Sequence, residues 1–569
     1  MIAGKGWHGG AWLGLTLLAG WPLLMHGYPM GHDWIYELAR AAEFGHAIDA
    51  GQWPPLWAGN TNGGYGAPTF LYYAPLYSAL AALLGKGLGG VVAGATAALL
   101  VCMAVAAATM AAAVRAAVGE ASTAARAAPW LAAALYVLHP YLLGDALIRN
   151  SSAEFAALAV APLALHGAVA LVQRSRHGAL ILAAGLAAVI LAHNLTALAV
   201  AALALLLALA GLGGPANPRR GLGLAALAGG STLGLALAAW FWVPALAYKP
   251  LLAIDRLRSD KLDFHNNFIS LDRMLWGDEF FAIGWLTPLL AAPMALVAWR
   301  AAPGGQRRLL ATLLVAAAGC LWLTQSASTV AWENLPLLEL FQFPWRFVGP
   351  LALVMAMAAG VALTLWGEQR PARQVRWAAV IVLALAVGAA VRPWVQSAPL
   401  PAGASARLDR YLTPEFLRTG EISVEFRNEY VVLGADPQAW RRDRPLPQQD
   451  PVLRASAPVQ VLKRLGGGAD TAVALQVDRP AQVDLARYAF EGWQLTLDGQ
   501  PLTWRPSASG ALQVQLPAGR QLLQLVYRAP PLRLAMVALS ALALAGWLLL
   551  WLLQRRRGGG PAASSAADS

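Results

Sequence analysis

A mainly α-helical, polytopic membrane bundle of about twelve transmembrane helices, with a small β domain near its C-terminus, is the fold class this sequence predicts. Three observations predict it. Only 13% of the 569 residues are charged and 58% are hydrophobic, against roughly 25% charged in an ordinary soluble domain. Apolar runs of membrane-spanning length recur between short basic clusters. One late region, 394–531, breaks that pattern with charged, alternating, turn-punctuated sequence.

The apolar spans fall near 10–27, 89–114, 127–147, 152–172, 178–193, 195–213, 221–248, 279–299, 308–324, 346–367, 374–393 and 532–553. Helix is the economical solution for each, because lipid offers no partner for an unpaired backbone group. No small-residue cleavage site follows Ala11 to Met25, so that stretch reads as a retained helix. The positive-inside bias puts Lys5 and the clusters Arg115 to Arg126, Arg174 to His177, Arg219-Arg220, Arg300 to Arg308, Arg370 to Arg376 and Arg555 to Arg557 in the cytoplasm, with both termini. Residues 68–86 are apolar enough to cross, but a crossing there would move Arg174 to His177 to the outer face. Keeping 28–88 wholly outside satisfies all six clusters, and the Tyr72-Tyr73-Tyr77 aromatics suit an interfacial segment. The outer polar segments are then 28–88, Asp145 to Glu154, the turn at His193 to Thr196, the loops 249–278 and 325–345, and 394–531.

Within 394–531, runs such as AVALQVDRPAQVDLARYAF alternate, and Asp498-Gly499, Ser509-Gly510 and Ala518-Gly519 supply turns, as in a small antiparallel β domain. The expected domains are 1–393 for the bundle, 394–531 for the β-rich part, 532–553 for a last helix and 554–569 for a disordered cytoplasmic tail. The net charge of +12 comes mostly from Arg between apolar spans, which orients helices and does not mark nucleic acid as a partner. Cys102 and Cys320 lie inside apolar segments without metal-ligand spacing and read as packing residues. No phosphate-cradling glycine loop is present.

The stretch 32–77 is dense in Trp, Tyr, Pro, Gly and Asn in a chain otherwise built of Ala and Leu. It opens on Asp33, preceded by His32, at the membrane boundary. Asp33 is placed either to cap the amphipathic run 34–46 or to take a proton from a hydroxyl, or to bind a divalent cation such as Mg or Mn. In that run Glu37, Arg40 and Glu43 form the polar side and Leu38, Ala42 and Phe44 the apolar side, as in an interfacial helix. Trp53, Trp57 and Tyr65 offer flat faces and Asn60 and Asn62 amides, suited to a sugar ring or, equally, to an aromatic anchor in the interface, and Tyr73 is a further candidate substrate contact. Charges beside hydrocarbon are costly, so Asp145, Arg149, Asn150 and Glu154 form a functional candidate; an Arg149–Asp145 pair at helix spacing, or a looser Arg149–Glu154 contact, is the structural alternative. His193 and Asn194 interrupt an apolar hairpin. In loop 249–278, Lys249, Asp255, Arg256, Arg258, Asp260, Lys261, Asp263 and His265 read as a solvated loop or as a mobile lid over an anion. Gln342 precedes Arg346, an arginine that the positive-inside bias does not explain and a bound phosphate does.

The order of these parts resembles the GT-C superfamily of membrane glycosyltransferases, over most of the chain. GHDW at Asp33, NGGYGAPTFLYYAPLY, RNSSAEF, LAHNLTAL, FQFPWRF, FEGWQLTLDG and PAGRQLLQLVYRAPP resemble, more closely, bacterial membrane proteins labelled 6-pyruvoyl-tetrahydropterin-synthase-related, and YfhO-like proteins. The enzyme of that label is a soluble zinc protein, and no His cluster here supports its chemistry. The GT-C resemblance implies inverting transfer of a hexosyl or pentosyl unit from a polyprenyl-phosphate donor in the bacterial inner membrane. The acceptor would be a glycan, lipid or protein on the outer face. It implies Asp33 as base or metal ligand, Glu154 or Asp145 as the second acidic position, and Arg149 and Arg346 as holders of the donor phosphate. Family members usually carry one or two acidic residues together in the first loop, where Asp33 stands alone. A lipid-linked glycan flippase predicts internal repeats, and none is evident. A non-catalytic envelope-assembly scaffold would work through 394–531 instead.

Overall fold

The computed structural model describes residues 5–213, 220–252, 262–368, 370–401, 403–422, 432, 435–436, 439–443, 450–467 and 470–556. Arg219, Arg557, the tail and the loop charges Asp255, Arg256, Arg258, Asp260 and Lys261 lie outside the described residues. Eight described helices are long and apolar enough to cross a membrane: Val91–Val118, Ser152–Val172, Asn194–Leu212, Arg220–Leu237, Gly305–Leu323, Pro344–Gly367, Ala372–Gln396 and Pro531–Arg556. Thr123–Val137 and Pro140–Arg149 are long and apolar enough only when taken together, and they are bent by 42°. The bend falls where His139 is extended ahead of Pro140, because a residue before proline is driven out of the helical region.

The other expected spans are short or interrupted. The one at 10–27 divides at Gly20 into Lys5–Ala19 and Trp21–His26, and the one at 221–248 continues past Leu237 as Ala239–Tyr248. Gly178–Ala192 and Leu286–Arg300 have 15 residues each, a reach of about 22 Å against about 30 Å of hydrocarbon. Residues 68–86 divide into Thr69–Tyr72 and Leu76–Leu88, and the latter is shorter still at 13 residues. It lies along the Val91 end of Val91–Val118, where the Tyr77 hydroxyl donates to the Ala95 carbonyl at 3.1 Å.

The centre of the bundle is Pro344–Gly367, whose apolar window is 94% buried, whereas Pro531–Arg556 is 11% buried and turns Leu542 and Leu549 outward. A helix apolar all round belongs inside the bundle or against lipid, and these two take one role each.

The helix Trp34–Asp49 departs from the interfacial expectation. Leu38, Ala39, Ala41 and Ala42 join the main core, but Glu37 and Glu43 are also buried, at 2% and 1% exposure. Their side is covered by the following loop, which supplies the partners water would have supplied. Tyr73 and Arg40 bond Glu37, while Asn60 and His46 bond Glu43.

Among the described residues of 394–531, the named strands fall within 452–527. The sheets are β1 (Val452–Ala455), β4 (Ala481–Tyr488), β8 (Ala511–Leu516) and β7 (Arg505–Pro506) in the order β1-β4-β8-β7, and β2 (Val459–Gly467), β3 (Asp470–Val477), β9 (Gly519–Tyr527), β5 (Trp493–Leu497) and β6 (Gln500–Leu502) in the order β2-β3-β9-β5-β6. Val473, Leu475, Val483, Leu485, Leu512, Leu523 and Leu525 are inward, as their period of two requires. Asp498 and Gly499 both have positive φ, 49° and 80°, the conformation that closes the two-residue β5–β6 hairpin. Among the described residues before β1 is the helix Ala404–Tyr411, which packs on Val91–Val118, and the Asp409 carboxylate accepts the Val92 amide at 3.1 Å.

Candidate active site

The bundle's polar cluster begins with a broken helix. Asp145–Arg149 is a π turn, ended by Asn150 in the left-handed region at φ 58°, with the Asn150 side-chain amide donating to the Ala146 carbonyl at 3.2 Å. Asn is one of the few residues that tolerates that conformation. The broken turn frees the carbonyls of Ile148 and Arg149, and these accept the backbone amides of His32 (3.0 Å) and Asp33 (2.9 Å). The approach needs glycine at position 31. A Cβ there would lie 2.0 Å from Asn150 Oδ1 and 2.2 Å from the Ile148 oxygen.

Asp33 is therefore clamped by its backbone onto Arg149. It sits at the N-cap of Trp34–Asp49, but its side chain makes no capping hydrogen bond. The half-buried carboxylate has no side-chain hydrogen bond or ion pair among the described residues. One turn on, buried Glu37 accepts the Tyr73 hydroxyl at 2.6 Å and Arg40 Nη1 at 3.1 Å through one oxygen, and its other oxygen has no partner. Burial pushes the Glu37 carboxyl up, Arg40 and the Tyr73 bond oppose this, the Asp33 charge adds to it, and the net shift is upward.

Beneath Asp33 lies an ion cluster at the helix ends. Arg149 Nη1 donates to Asp145 at 2.8 Å and to Glu154 at 2.7 Å. Glu154 also accepts the Tyr141 hydroxyl at 2.7 Å and lies 3.6 Å from Arg346 Nε. Asp145 Oδ2 is buried without a partner. Arg149 rests 4.7 Å from the Trp345 ring and 5.7 Å from that of Phe280, and His32 meets Phe280 edge-on at 5.7 Å. Arg346 Nη1 is tied to the Phe341 carbonyl at 2.8 Å and to Gln342 Oε1 at 3.4 Å. Arg149 Nη2 and Arg346 Nη2 have no hydrogen-bond acceptor among the described residues.

His193 caps Asn194–Leu212 by accepting the Thr196 amide at 3.3 Å. Burial pulls its pKa down to about 4, so it is neutral at pH 7. Asn194 donates to the Tyr72 carbonyl at 3.3 Å and so ties the hairpin to the loop. His265 is exposed, held by Asp263 at 2.7 Å and Glu333 at 3.3 Å, and its pKa is raised by those two bonds.

Trp57 and Tyr65 do not present open faces. Trp57 is fully buried against Phe490, Trp493 and Tyr527, and Tyr65 packs on Tyr488 with its hydroxyl on the Asp443 carbonyl. They join the first loop to the β domain, because large aromatic area is the cheapest means of docking two units. Among the described residues no three His, Cys, Asp or Glu side chains converge, and a lone Asp33 carboxylate is a poor cage for a hard ion. Glu37, Tyr141, Phe280 and Trp345 were not singled out as site residues by sequence. The Asp33–Glu37 spacing of one helical turn was the available signal for the first.

Residues 70–396, more than half of the chain, match the model of the 6-pyruvoyl-tetrahydropterin synthase related domain, a membrane protein, and the chain belongs to that family. No curated protein matches it. Among solved structures it is similar to the arabinofuranosyltransferase AftD from Mycobacteria, with 19% identity and a TM-score of 0.46 over 71% of this chain and 28% of that one. It is similar also to the oligosaccharyltransferase of Archaeoglobus fulgidus, with 14% identity and a TM-score of 0.42 over 72% and 59% of the two chains. A third is ArnT from Cupriavidus metallidurans bound to undecaprenyl phosphate, at 16% identity and a TM-score of 0.39 over 74% and 78%.

Proposed function

We propose that this membrane protein is a glycosyltransferase of the GT-C type. It moves a sugar, with inversion, from a polyprenyl-phosphate donor to a glycan, lipid or protein acceptor, at the bundle face that carries Asp33. The supporting observation is the Asp33 carboxylate: half-exposed, unbonded by other side chains among the described residues, and fixed by its backbone to Arg149. A general base needs a free oxygen within about 3 Å of the proton it takes, and an N-cap bond would have consumed one.

In the proposed step the acceptor oxygen forms a bond to the anomeric carbon while the bond from that carbon to the phosphate oxygen breaks. The electron pair stays on the phosphate, and the acceptor proton passes to Asp33. Arg149 and Arg346 meet the departing phosphate through Nη2, where charge develops. Asp145 and Glu154 act through Arg149 as positioning residues, and Glu37 helps to keep the Asp33 turn in place. No step passes through a metal.

The test is transfer by the purified full chain from a panel of polyprenyl-phosphate sugars. Asp33→Asn is expected to lower the rate by about 100-fold or more, with an unchanged thermal unfolding midpoint. Undiminished transfer would remove Asp33 from the mechanism.

A further inference from the structure

A second polar site lies where the first loop meets the β domain. A cavity of about 310 Å³ opens between Trp34–Asp49 and the segment around Pro414–Leu417, lined by Glu43, His46, Trp57, Asn60, Glu415 and Arg418. That volume is at the lower end for small-molecule sites.

Its geometry is built from the buried side outward. Glu43 accepts the backbone amide of Asn60 at 3.0 Å and its side-chain amide at 2.8 Å. These two bonds fix the Asn60 amide plane, and its oxygen then accepts Arg418 Nε at 2.9 Å. The guanidinium is thus held at its stem, and its two terminal nitrogens have no hydrogen-bond acceptor among the described residues. A planar fork with open terminal N–H groups is the arrangement that takes a carboxylate or phosphate bidentately.

The surroundings carry the same bias. Arg464 and Arg487 both pair with Asp450, at 2.6 Å and 3.2 Å. Buried donors remain unused there: Nε of Arg487, and Nε and Nη2 of Arg464. Burial, with the charges of Arg487 and Arg464, pulls the Arg418 pKa down to about 10. Three guanidiniums share this corner with the carboxylates of Asp450, Glu43 and Glu415, so what an anionic ligand satisfies is the open guanidinium N–H groups.

We propose that this cavity is a binding site for an oxyanion-bearing ligand of about one sugar unit, a carboxylate or a phosphate ester, gripped by Arg418, whose guanidinium Asn60 orients. The site is separate from the Asp33 cluster, and its test reads binding alone, so it stands or falls independently of the transferase reading.

The experiment uses the full chain in detergent, with glucuronate and glucose 1-phosphate as the carboxylate and phosphate probes and glucose as the neutral control. Calorimetry is expected to show millimolar or tighter binding of at least one anion, with glucose much weaker. Arg418→Gln is expected to weaken the anion by about tenfold or more. Equal binding of glucose, binding of neither anion, or full binding by the variant would overturn the proposal. Should Arg418→Gln fail to fold, the unmutated chain gives the answer. Modification of Arg418 by an arginine-selective dicarbonyl, read by peptide mass spectrometry, is slowed by the binding anion and not by glucose. Equal modification with and without the anions would count against the site.

Discussion

Two buried ion clusters in this chain draw on the same side-chain types and end with opposite surpluses. At the bundle end, four acids, Asp33, Glu37, Asp145 and Glu154, face three guanidiniums, Arg40, Arg149 and Arg346; carboxylate oxygens are left over on Asp33, Glu37 and Asp145, beside unused donors on Arg149 and Arg346. At the β domain, Arg418, Arg464 and Arg487 surround Asp450, and guanidinium donors are left over. The buried acids respond accordingly. Burial pushes the Glu37 carboxyl up and its neighbours do not bring it back. Burial also pushes Asp450 up, but Arg487, Arg464 and Arg418 more than reverse it and hold the carboxyl below its ordinary value. The number of cations sharing an acid, more than its depth, decides its charge. The first surplus suits a base, the second an anion site.

The comparison breaks most readily at Arg149. Arg149→Met leaves Asp145 and Glu154 without their shared cation and is expected to cost about 3–5 kcal/mol, read as a lowered thermal midpoint. Arg487→Met should cost less, about 1–2 kcal/mol, because Arg464 still holds Asp450 at 2.6 Å. Equal losses would show that the two clusters are not differently balanced.

Sharper still is the pH dependence. The depressed Asp450 contributes stability above its unfolded pKa, and that contribution is lost as pH falls through its folded value. The raised Glu37 contributes most below its unfolded pKa and loses that contribution as pH rises through its folded value. Thermal midpoints of Asp450→Asn and Glu37→Gln, compared with the unmutated chain from about pH 3 to about pH 8, should therefore diverge in opposite directions. Parallel curves would refute the assignment. The smallest effect expected is that of Tyr73→Phe, which removes the 2.6 Å bond to Glu37 at a cost of about 1 kcal/mol and lifts the Glu37 carboxyl further.

Asp33, Arg149, Glu154 and Arg346 stood out in sequence because each is a charge beside an apolar run, where an unpartnered ion is costly. The Asp145–Arg149 pair was legible from its spacing of one helical turn. Glu37 and Glu43 were assigned to a wet face, since amphipathic spacing shows which side is polar but not what covers that side. Trp57 and Tyr65 read as platforms for the same reason: an aromatic ring signals a contact without naming the partner. Arg418, Asp450, Arg464 and Arg487 lay in a region read as a charged, alternating β domain, and nothing local marked them.

Local chemistry by itself determined that this chain is a membrane bundle of apolar helices with an alternating β unit, and where its charges interrupt the hydrocarbon-facing runs. Lipid and water act on each segment separately, so those features are written residue by residue. Only the tertiary structure decided that the Asp33 carboxylate stays free, which side of Trp34–Asp49 is covered, and that Arg418 reaches Asn60 while Arg464 and Arg487 meet at Asp450. Those outcomes depend on contacts between segments hundreds of residues apart, such as Arg418 on Asn60, and no periodicity within one segment encodes its partner.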